Sequence, residues 1–600
     1  MLCGFAGKIL YVNLTTGEIY ANPLDVDLAE RYIGGMGINS WLLSNLVTEK
    51  IDPLSPENAL IFGVGPLIGT ICPGAPKVYV ASLSPDGFVC QSSAGHSMGI
   101  MLKYAGYDHL VITGRSEGPT YLRIDDDEVE IRNADHLWGR DTWSTNDALR
   151  KELDDYWIDC IGPAGENKVN YSTIMCSKRS SFNKTGPGTI MGSKNLKAIA
   201  AHGTKGVRVA DPDEFKRLTD EIAKSIVSDA ELTLFRTYGG PPAESPKQGF
   251  GYDEFAARIA KRPYACLGCT VACKHVISLR DGPYSGLTYR VSHLDALSGH
   301  NGLGDLENWD ELVKSVEYEN RFGLEAAGTS GMLSFLEECY RRGLLNREGL
   351  GFIPKSGGRG LRDFILSLVQ KERTNDLAAL GLLKASESVG KGSARFAHHM
   401  KGVAREHRLD KEVSINTIGA LTNPRGGDGD LTKIPMRETG IDSAVGLVRF
   451  CKDLGLRKSN ARRVLKGPDG FNVGRLTRWA EDYSVVYVSM GFCHRWILRQ
   501  YLNLKKLSIL YKAATGLQSS PSDLLSAGEH IFNTLKAFNV KMGATRRDDL
   551  PSRGATCPPD KTLIIGNKNY DSLNQILNEY YQERGWDIKT GIPAKPKSIP

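Results

Sequence analysis

The sequence contains no apolar run approaching eighteen residues, so no segment is predicted to cross a bilayer. The opening residues, Met1-Leu2-Cys3-Gly4-Phe5-Ala6-Gly7-Lys8, lack the apolar core of a secretory leader, which points to a cytoplasmic protein. Net charge is nearly absent: 75 Lys and Arg against 69 Asp and Glu leave +6 over 600 residues, with both signs interspersed. A nucleic-acid partner calls for a basic patch or stripe, so none is expected. Cysteine is sparse, at twelve residues, and a long chain without a leader keeps its thiols reduced, so a disulfide framework is not expected either. No internal repeat is visible.

What is present suits a globular protein of roughly two to four domains, with 41% hydrophobic and 24% charged residues. The first part reads as mainly β. Lys8 to Leu14 alternates apolar and polar, Thr15-Thr16-Gly17-Glu18 makes a turn, and Ile19-Tyr20 starts a return strand. Further strands are predicted over Ala59–Val64, Val78–Leu83, His109–Gly114 and Thr120–Ile124. The character changes near residue 208. Amphipathic helices are predicted over Asp213–Ser228, Leu306–Arg321, Met332–Arg342, Leu361–Gln370, Thr477–Tyr487, Leu502–Ala514 and Pro521–Ala537.

Three cysteines are concentrated in Cys266-Leu267-Gly268-Cys269-Thr270-Val271-Ala272-Cys273. A C-x2-C-x3-C run can hold three corners of one metal centre, and Cys493 is the best candidate for a distant fourth ligand. Four thiolates suit a [4Fe–4S] cluster. A zinc site with His275 as a possible ligand, or plain buried thiols, would use the same residues. Cys72, Cys90, Cys160, Cys176 and Cys339 read as small buried side chains.

Other motifs are weaker. Gly34-Gly35-Met36-Gly37 invites a dinucleotide reading, but it follows a helical pattern, which favours glycine capping of a helix end. Ser93–Gly99, near Lys77 and Lys103, and Asn183–Gly188, near Arg179 and Lys184, could present backbone amides and a cation to a phosphate, or be ordinary surface turns. His293 and Asp295 are candidate proton-transfer groups, or a hydrogen-bonded structural pair. His398-His399 reads as solvated surface on a helix.

Taken together, these residues resemble the tungsten-containing aldehyde:ferredoxin oxidoreductase family, as a divergent member. The similarity is carried by Asn13–Glu18, Asp52–Asn58, Leu102–Asp108, Ile161–Asn167, Met191–Ala198, Arg547–Pro551 and Tyr580–Trp586, and so spans nearly the whole chain. It implies an α+β protein. A β-rich, pterin-cradling domain over 1–208 is followed by two mainly helical domains, 209–412 and 413–600. The second would carry the three clustered cysteines and a first pterin motif, the third a second pterin motif and the fourth cysteine.

The implied cofactors are a [4Fe–4S] cluster on Cys266, Cys269, Cys273 and Cys493, and tungsten (or molybdenum) on two pterins, with Mg bridging their phosphates. The implied cofactor-binding residues are Lys77, Ser93, Gly95, Arg179, Ser180, Asn320, Glu325 and His494. Asn320-Arg321-Phe322-Gly323-Leu324-Glu325 is similar to the first pterin motif. Val488-Ser489-Met490-Gly491-Phe492-Cys493 is similar to the second, with Val488 where the family has Asp. The implied reaction oxidises a small aldehyde to a carboxylic acid and passes electrons to ferredoxin or another iron–sulfur subunit.

The departures are specific. Ser292 stands where the family has a Glu. Arg425-Gly426-Gly427 continues with Asp428 rather than leading to a His. Lys314 and Glu317 replace the E-x-x-H that holds an intersubunit metal, so a homodimer would lack that bridge. His293 and Asp295, with Asp428 behind them, become the candidate proton acceptors. Altered chemistry, such as reduction of an aromatic acyl-coenzyme A, and a non-enzymatic zinc- or cluster-stabilised protein are the alternatives.

Overall fold

The chain opens with a hairpin whose turn is written in its side chains. Asn13 Oδ1 accepts from the backbone N–H groups of Thr15 and Thr16 at 3.0 and 3.3 Å, and Gly17 takes the left-handed φ of +75°. This joins β1 (Lys8–Asn13) to β2 (Ile19–Pro23). With β3 (Leu60–Gly63), β4 (Val78–Leu83), β5 (Val89–Ala94) and β6 (His109–Thr113) they form a six-stranded sheet ordered β2-β1-β6-β3-β4-β5. Only β1 and β6 in it run parallel. A second six-stranded sheet follows. Its strands are β7 (Thr120–Asp125), β8 (Glu128–Asn133), β9 (Trp157–Cys160), β10 (Ile174–Cys176), β11 (Ser180–Phe182) and β12 (Leu196–His202), ordered β11-β10-β9-β12-β7-β8. These observations come from a computed structural model. It describes residues 2–229, 232–233, 236, 257–291, 309–370, 376–404, 415–427, 431–432, 473–494, 502–551 and 570–593.

The first sheet is buried on both faces, and the two-residue period of its strands shows why. Leu10, Val12, Leu60, Phe62, Val78 and Val80 point into a core shared with the second sheet, among Leu122, Ile174 and Ile199. The alternate residues Ile9, Ile61, Tyr79 and Ala81 point the other way, into a core with Tyr483, Val486, Ile531, Phe538 and Tyr580. The helix Gly35–Leu46 packs directly on this face of the sheet, the C-terminal helices Val473–Ser489 and Pro521–Lys541 pack against that helix, and Tyr570–Arg584 packs on Val473–Ser489. A separate core holds the central region, with Leu312, Val316, Leu333, Leu336, Phe364 and Ile365 on the helices Trp309–Phe322, Ala326–Arg341 and Gly358–Val369.

The predicted strands and helices are present among the described residues, most helices a few residues longer than predicted. Several elements were not anticipated, among them β5 and β8 to β12. A three-stranded antiparallel sheet, β13 (Ile259–Tyr264), β14 (Lys274–Leu279) and β15 (Thr288–Val291), begins the otherwise helical central region. Among the described residues no helix is long and apolar enough to cross a membrane.

Candidate metal centre and cofactor cleft

The cysteine run is the loop between β13 and β14. It doubles back on itself: the Cys269 N–H donates to the Cys266 carbonyl at 3.0 Å, and Gly268 and Ala272 take φ of +68° and +50°. An alanine in that region is strained, so the loop around it holds it there. Val271 anchors the loop in the core, and Cys269 and Cys273 pack beside it.

Cys493 arrives from the other end of the chain. The helix Val473–Ser489 stops at Gly491, φ +107°, and Phe492 stacks on Tyr487 with ring centroids 4.8 Å apart. The N-terminal region grips this turn by its backbone. Leu67 and Lys77 donate to the carbonyls of Met490 and Gly491 at 3.2 and 3.0 Å, and Cys493 donates to Gly74 at 2.9 Å. Close approach requires glycine nearby: a Cβ on Gly65 would overlap the Met490 carbonyl, and one on Gly34 would stand 2.8 Å from Pro66.

The four thiols share one neighbourhood. Burial, and then the charges of Cys266, Cys273 and Cys493, push the Cys269 thiol up to about 12. None of the ten described cysteines is in a disulfide. Gly95, just past β5, forms one wall: a Cβ there would stand 2.5 Å from Cys266 Sγ. Tyr487 Oη is fully buried near Cys493 and Cys72 and has no hydrogen-bond partner. Four thiols, a wall bare of side chain and an orphan hydroxyl fit a sulfur-rich cluster whose sulfides accept hydrogen bonds. Among the described residues no three His, Cys, Asp or Glu side chains are grouped to hold a single ion. His275 engages the Arg236 carbonyl through Nε2 at 2.9 Å.

Of the predicted cofactor residues of the N-terminal half, Lys77, Gly95 and Arg179 contact the segments that carry these thiols or their neighbours. Lys77 and Gly95 make the contacts above. Ser93 is half-buried on β5 and pairs with Tyr79. Ser180 is buried and pairs with Cys176. The Arg179 side chain is exposed, and its carbonyl accepts from Tyr264 Oη at 2.6 Å and Lys274 Nζ at 3.2 Å. His494 is half-buried directly after Cys493. Lys274 was not anticipated, although its place beside Cys273 marks it. It is buried, its Nζ lies 5.9 Å from the Tyr264 ring centroid, and it is 3.9 Å from the point where a Gly95 Cβ would stand.

The first pterin-like motif forms a second centre. The N–H groups of Gly323 and Leu324 both return to the Glu319 carbonyl at 2.9 and 2.8 Å, and Gly323 takes φ +77°. The Asn320 carbonyl accepts from Thr142 Oγ1 at 2.9 Å. Glu325 caps the helix Ala326–Arg341 by accepting from Gly328 N, and stands 3.9 Å from Lys184 Nζ. Both line a shallow cleft, with Asp86, Thr185 and Gly402. Burial pushes Asp86 up to about 7, and its Oδ1 has no hydrogen-bond partner. The Asn183–Gly188 stretch is therefore a cleft wall as well as a turn.

Several expectations are corrected. Ser93–Gly99 is not a surface turn: Ser97 Oγ and Met98 N donate to Asp159 at 2.6 and 3.0 Å in a buried setting. Lys103 faces no ligand pocket; it is buried near Asp108 and ties the carbonyls of Gly4 and Gly65 at 2.8 and 2.7 Å. The Gly34–Gly37 run opens the helix Gly35–Leu46 as well as following the helix Val26–Tyr32. His399 is buried in a short strand, His399–Met400, while His398 is exposed. Lys314 and Glu317 form an ion pair, and Glu317 also accepts from Arg321 at 2.7 Å. Ser292, His293, Asp295 and Asp428 lie outside the described residues.

A redox enzyme of one superfamily is what this combination defines, and the comparisons agree. The N-terminal-domain model of aldehyde ferredoxin oxidoreductase matches residues 9–203, and the model of its domains 2 and 3 matches residues 233–598. The chain belongs to the aldehyde ferredoxin oxidoreductase family, a family of oxidoreductases. It is 29% identical to the tungsten-containing aldehyde ferredoxin oxidoreductase of Pyrococcus furiosus, over 98% of this chain and 97% of that one. It is 31% identical to the WOR-like subunit of the aliphatic sulfonate oxidoreductase of the same organism, over 98% and 96%. Among solved structures, the active-site complex BamBC of benzoyl coenzyme A reductase with 1,5-dienoyl-CoA contains a chain of the same fold. That likeness has a TM-score of 0.84 at 24% identity, covering 99% and 96% of the two chains.

Proposed function

We propose that this protein is a tungstopterin, [4Fe–4S] oxidoreductase that oxidises an aldehyde to a carboxylic acid and passes the electrons to an iron–sulfur carrier. The observation that carries the reading is the convergence of Cys266, Cys269, Cys273 and Cys493 from two distant segments onto the wall at Gly95, in a member of this family. When bound, the metal–pterin group supplies two-electron chemistry at the substrate, and the cluster relays those electrons singly.

The chain's own residues bind and shield. The four thiols hold the cluster, with Tyr487 Oη positioned to donate to it. Lys77, Ser93, Arg179 and Ser180 are the proposed pterin contacts beside it. Lys184, Glu325 and Asp86 would hold the polar rim of a pterin, and its Mg, at the cleft. Val488 offers no hydrogen bond where the family has Asp, so the neighbouring Ser489 Oγ, buried and without a partner, is the proposed replacement. Oxidation of a hydrated aldehyde releases protons, and His293 or Asp295 is the proposed acceptor.

Metal analysis of anaerobically purified protein is the test. Tungsten or molybdenum with about four irons per chain is expected. Absence of both metals sinks the enzyme reading. Full loading without aldehyde-dependent dye reduction rejects the aldehyde substrate alone and leaves acyl-coenzyme A reduction to be assayed.

A further inference from the structure

We infer that the face over the cysteine loop is a docking surface for a small acidic iron–sulfur electron carrier, an inference that rests on the cluster reading above. Ile71 is 64% exposed and Leu267 44% exposed, among the few large apolar side chains left in water. They stand on abutting loops. The carbonyl of Cys72, next to Ile71, lies 3.8 Å from the Cβ position of Gly268, next to Leu267. The apolar pair therefore stands on the cysteine loop and on the loop that touches it.

A basic rim flanks it. The Arg236 guanidinium donates to the Thr270 carbonyl at 3.0 Å, and the Arg236 carbonyl meets His275 Nε2 at 2.9 Å. His275 pairs in register with Pro263 of β13, two residues from Lys261. Lys261 and Arg236 thus lie on one side of the loop. β13 is the outer strand of its sheet and exposes residues 260–263. No Asp or Glu occurs between Glu254 and Asp281, a stretch in which Lys261 and Arg262 are exposed. None occurs from Asn58 to Pro85 either.

An apolar centre with a rim of one charge sign is complementary to a partner with an apolar centre and an acidic rim. Its position over the thiols selects a redox partner, and brief redox encounters use small patches of this kind. A second copy of this chain would bring the same positive rim and be repelled. The transfer itself moves one electron from the reduced cluster to the carrier's oxidised cluster and changes no bond.

The test needs no substrate. Loaded protein is reduced with dithionite, desalted, and mixed in a stopped-flow cell with an oxidised acidic two-cluster ferredoxin or with a small neutral quinone. Lys261→Glu combined with Arg236→Glu is expected to slow transfer to ferredoxin about tenfold at low salt and flatten its salt dependence. Ile71→Asp is expected to slow it at every salt concentration. Quinone reduction and cluster absorbance should stay at wild-type values. Ferredoxin rates unchanged in both variants overturn the docking surface, as does a variant-sensitive dimer formed through this face. Absence of cluster absorbance in the wild-type protein overturns the underlying cluster reading instead.

Discussion

Cys266 Sγ lies 2.5 Å from where a Cβ on Gly95 would stand, a separation that real Cβ atoms do not show. The end of β5 and the cysteine loop touch through a position that only glycine fills. Gly95→Ala is expected to displace Cys266 and lower iron content well below about four per chain. The fold should survive, because the strain falls on a loop. Iron analysis beside circular dichroism checks this; full iron content in Gly95→Ala would show that the contact is not part of the centre.

Cys493 and Cys72 provide an internal comparison. Both lie near Tyr487, but only Cys493 is assigned to the cluster; burial alone pushes the Cys72 thiol up. Cys493→Ala is expected to lose the cluster's visible absorbance, and Cys72→Ala to keep it. The reverse pattern would reassign the fourth ligand.

Lys274 places a buried cation beside the thiols, where it favours the more negative, reduced cluster. Lys274→Met is expected to shift the cluster midpoint to more negative potential, and Lys274→Arg to restore most of it. Redox titration followed by electron paramagnetic resonance reads the shift without any turnover. An unmoved midpoint in Lys274→Met would remove the lysine from this role.

Arg584 is fully buried between Glu481, at 2.6 Å, and Asp482. Burial pushes Glu481 up to about 7 even with Arg584, Tyr580 and Thr422 opposing it. Arg584→Met leaves the buried Glu481 without a cation and Asp482 with only Arg478, at 3.6 Å, a loss of about 3–5 kcal/mol. A clearly lower Tm is expected. Because this triad joins the helices Val473–Ser489 and Tyr570–Arg584, Cys493 should become easier to alkylate as well.

His399 is held down to about 4 by burial, with His398 adding to the effect. The unfolded chain, with its histidine near 6.5, binds more protons between those values. Stability from keeping His399 neutral is therefore complete above about pH 6.5 and lost as pH falls toward 4. His399→Gln is expected to flatten this part of the acid limb in a Tm-against-pH series, leaving the rest due to other buried groups such as His109.

Strands β1 to β4, β6 and β7 were legible because they alternate or run apolar between turn residues. The long helices were legible from their period. The sheet of β13 to β15 was not: Ala260, Lys261, Arg262 and Pro263 are exposed in succession, so no two-residue pattern marks the strand. Ligand spacing made the thiol centre readable, and the resemblance tied it to Cys493. Lys103 misled because a buried lysine serving two carbonyls has the same sequence signature as one facing an anion. His399 misled because a single exposed neighbour, His398, and flanking lysines suggested solvent. Asp86 could not have been singled out, since its cleft is built by Lys184, Glu325 and Gly402 from three separate stretches.

The grip of the segment Leu67–Lys77 on the turn Met490–Cys493 also sets an order of events. A ribosome delivers three of the thiols before half the chain is made, and the fourth only when most of it has emerged. The helix that leads to Cys493 must then fold back against the N-terminal helix Gly35–Leu46 before the turn can be seized. A complete thiol set therefore forms only late in synthesis, and whatever inserts the inorganic centre must act on a protein whose two ends are already meeting.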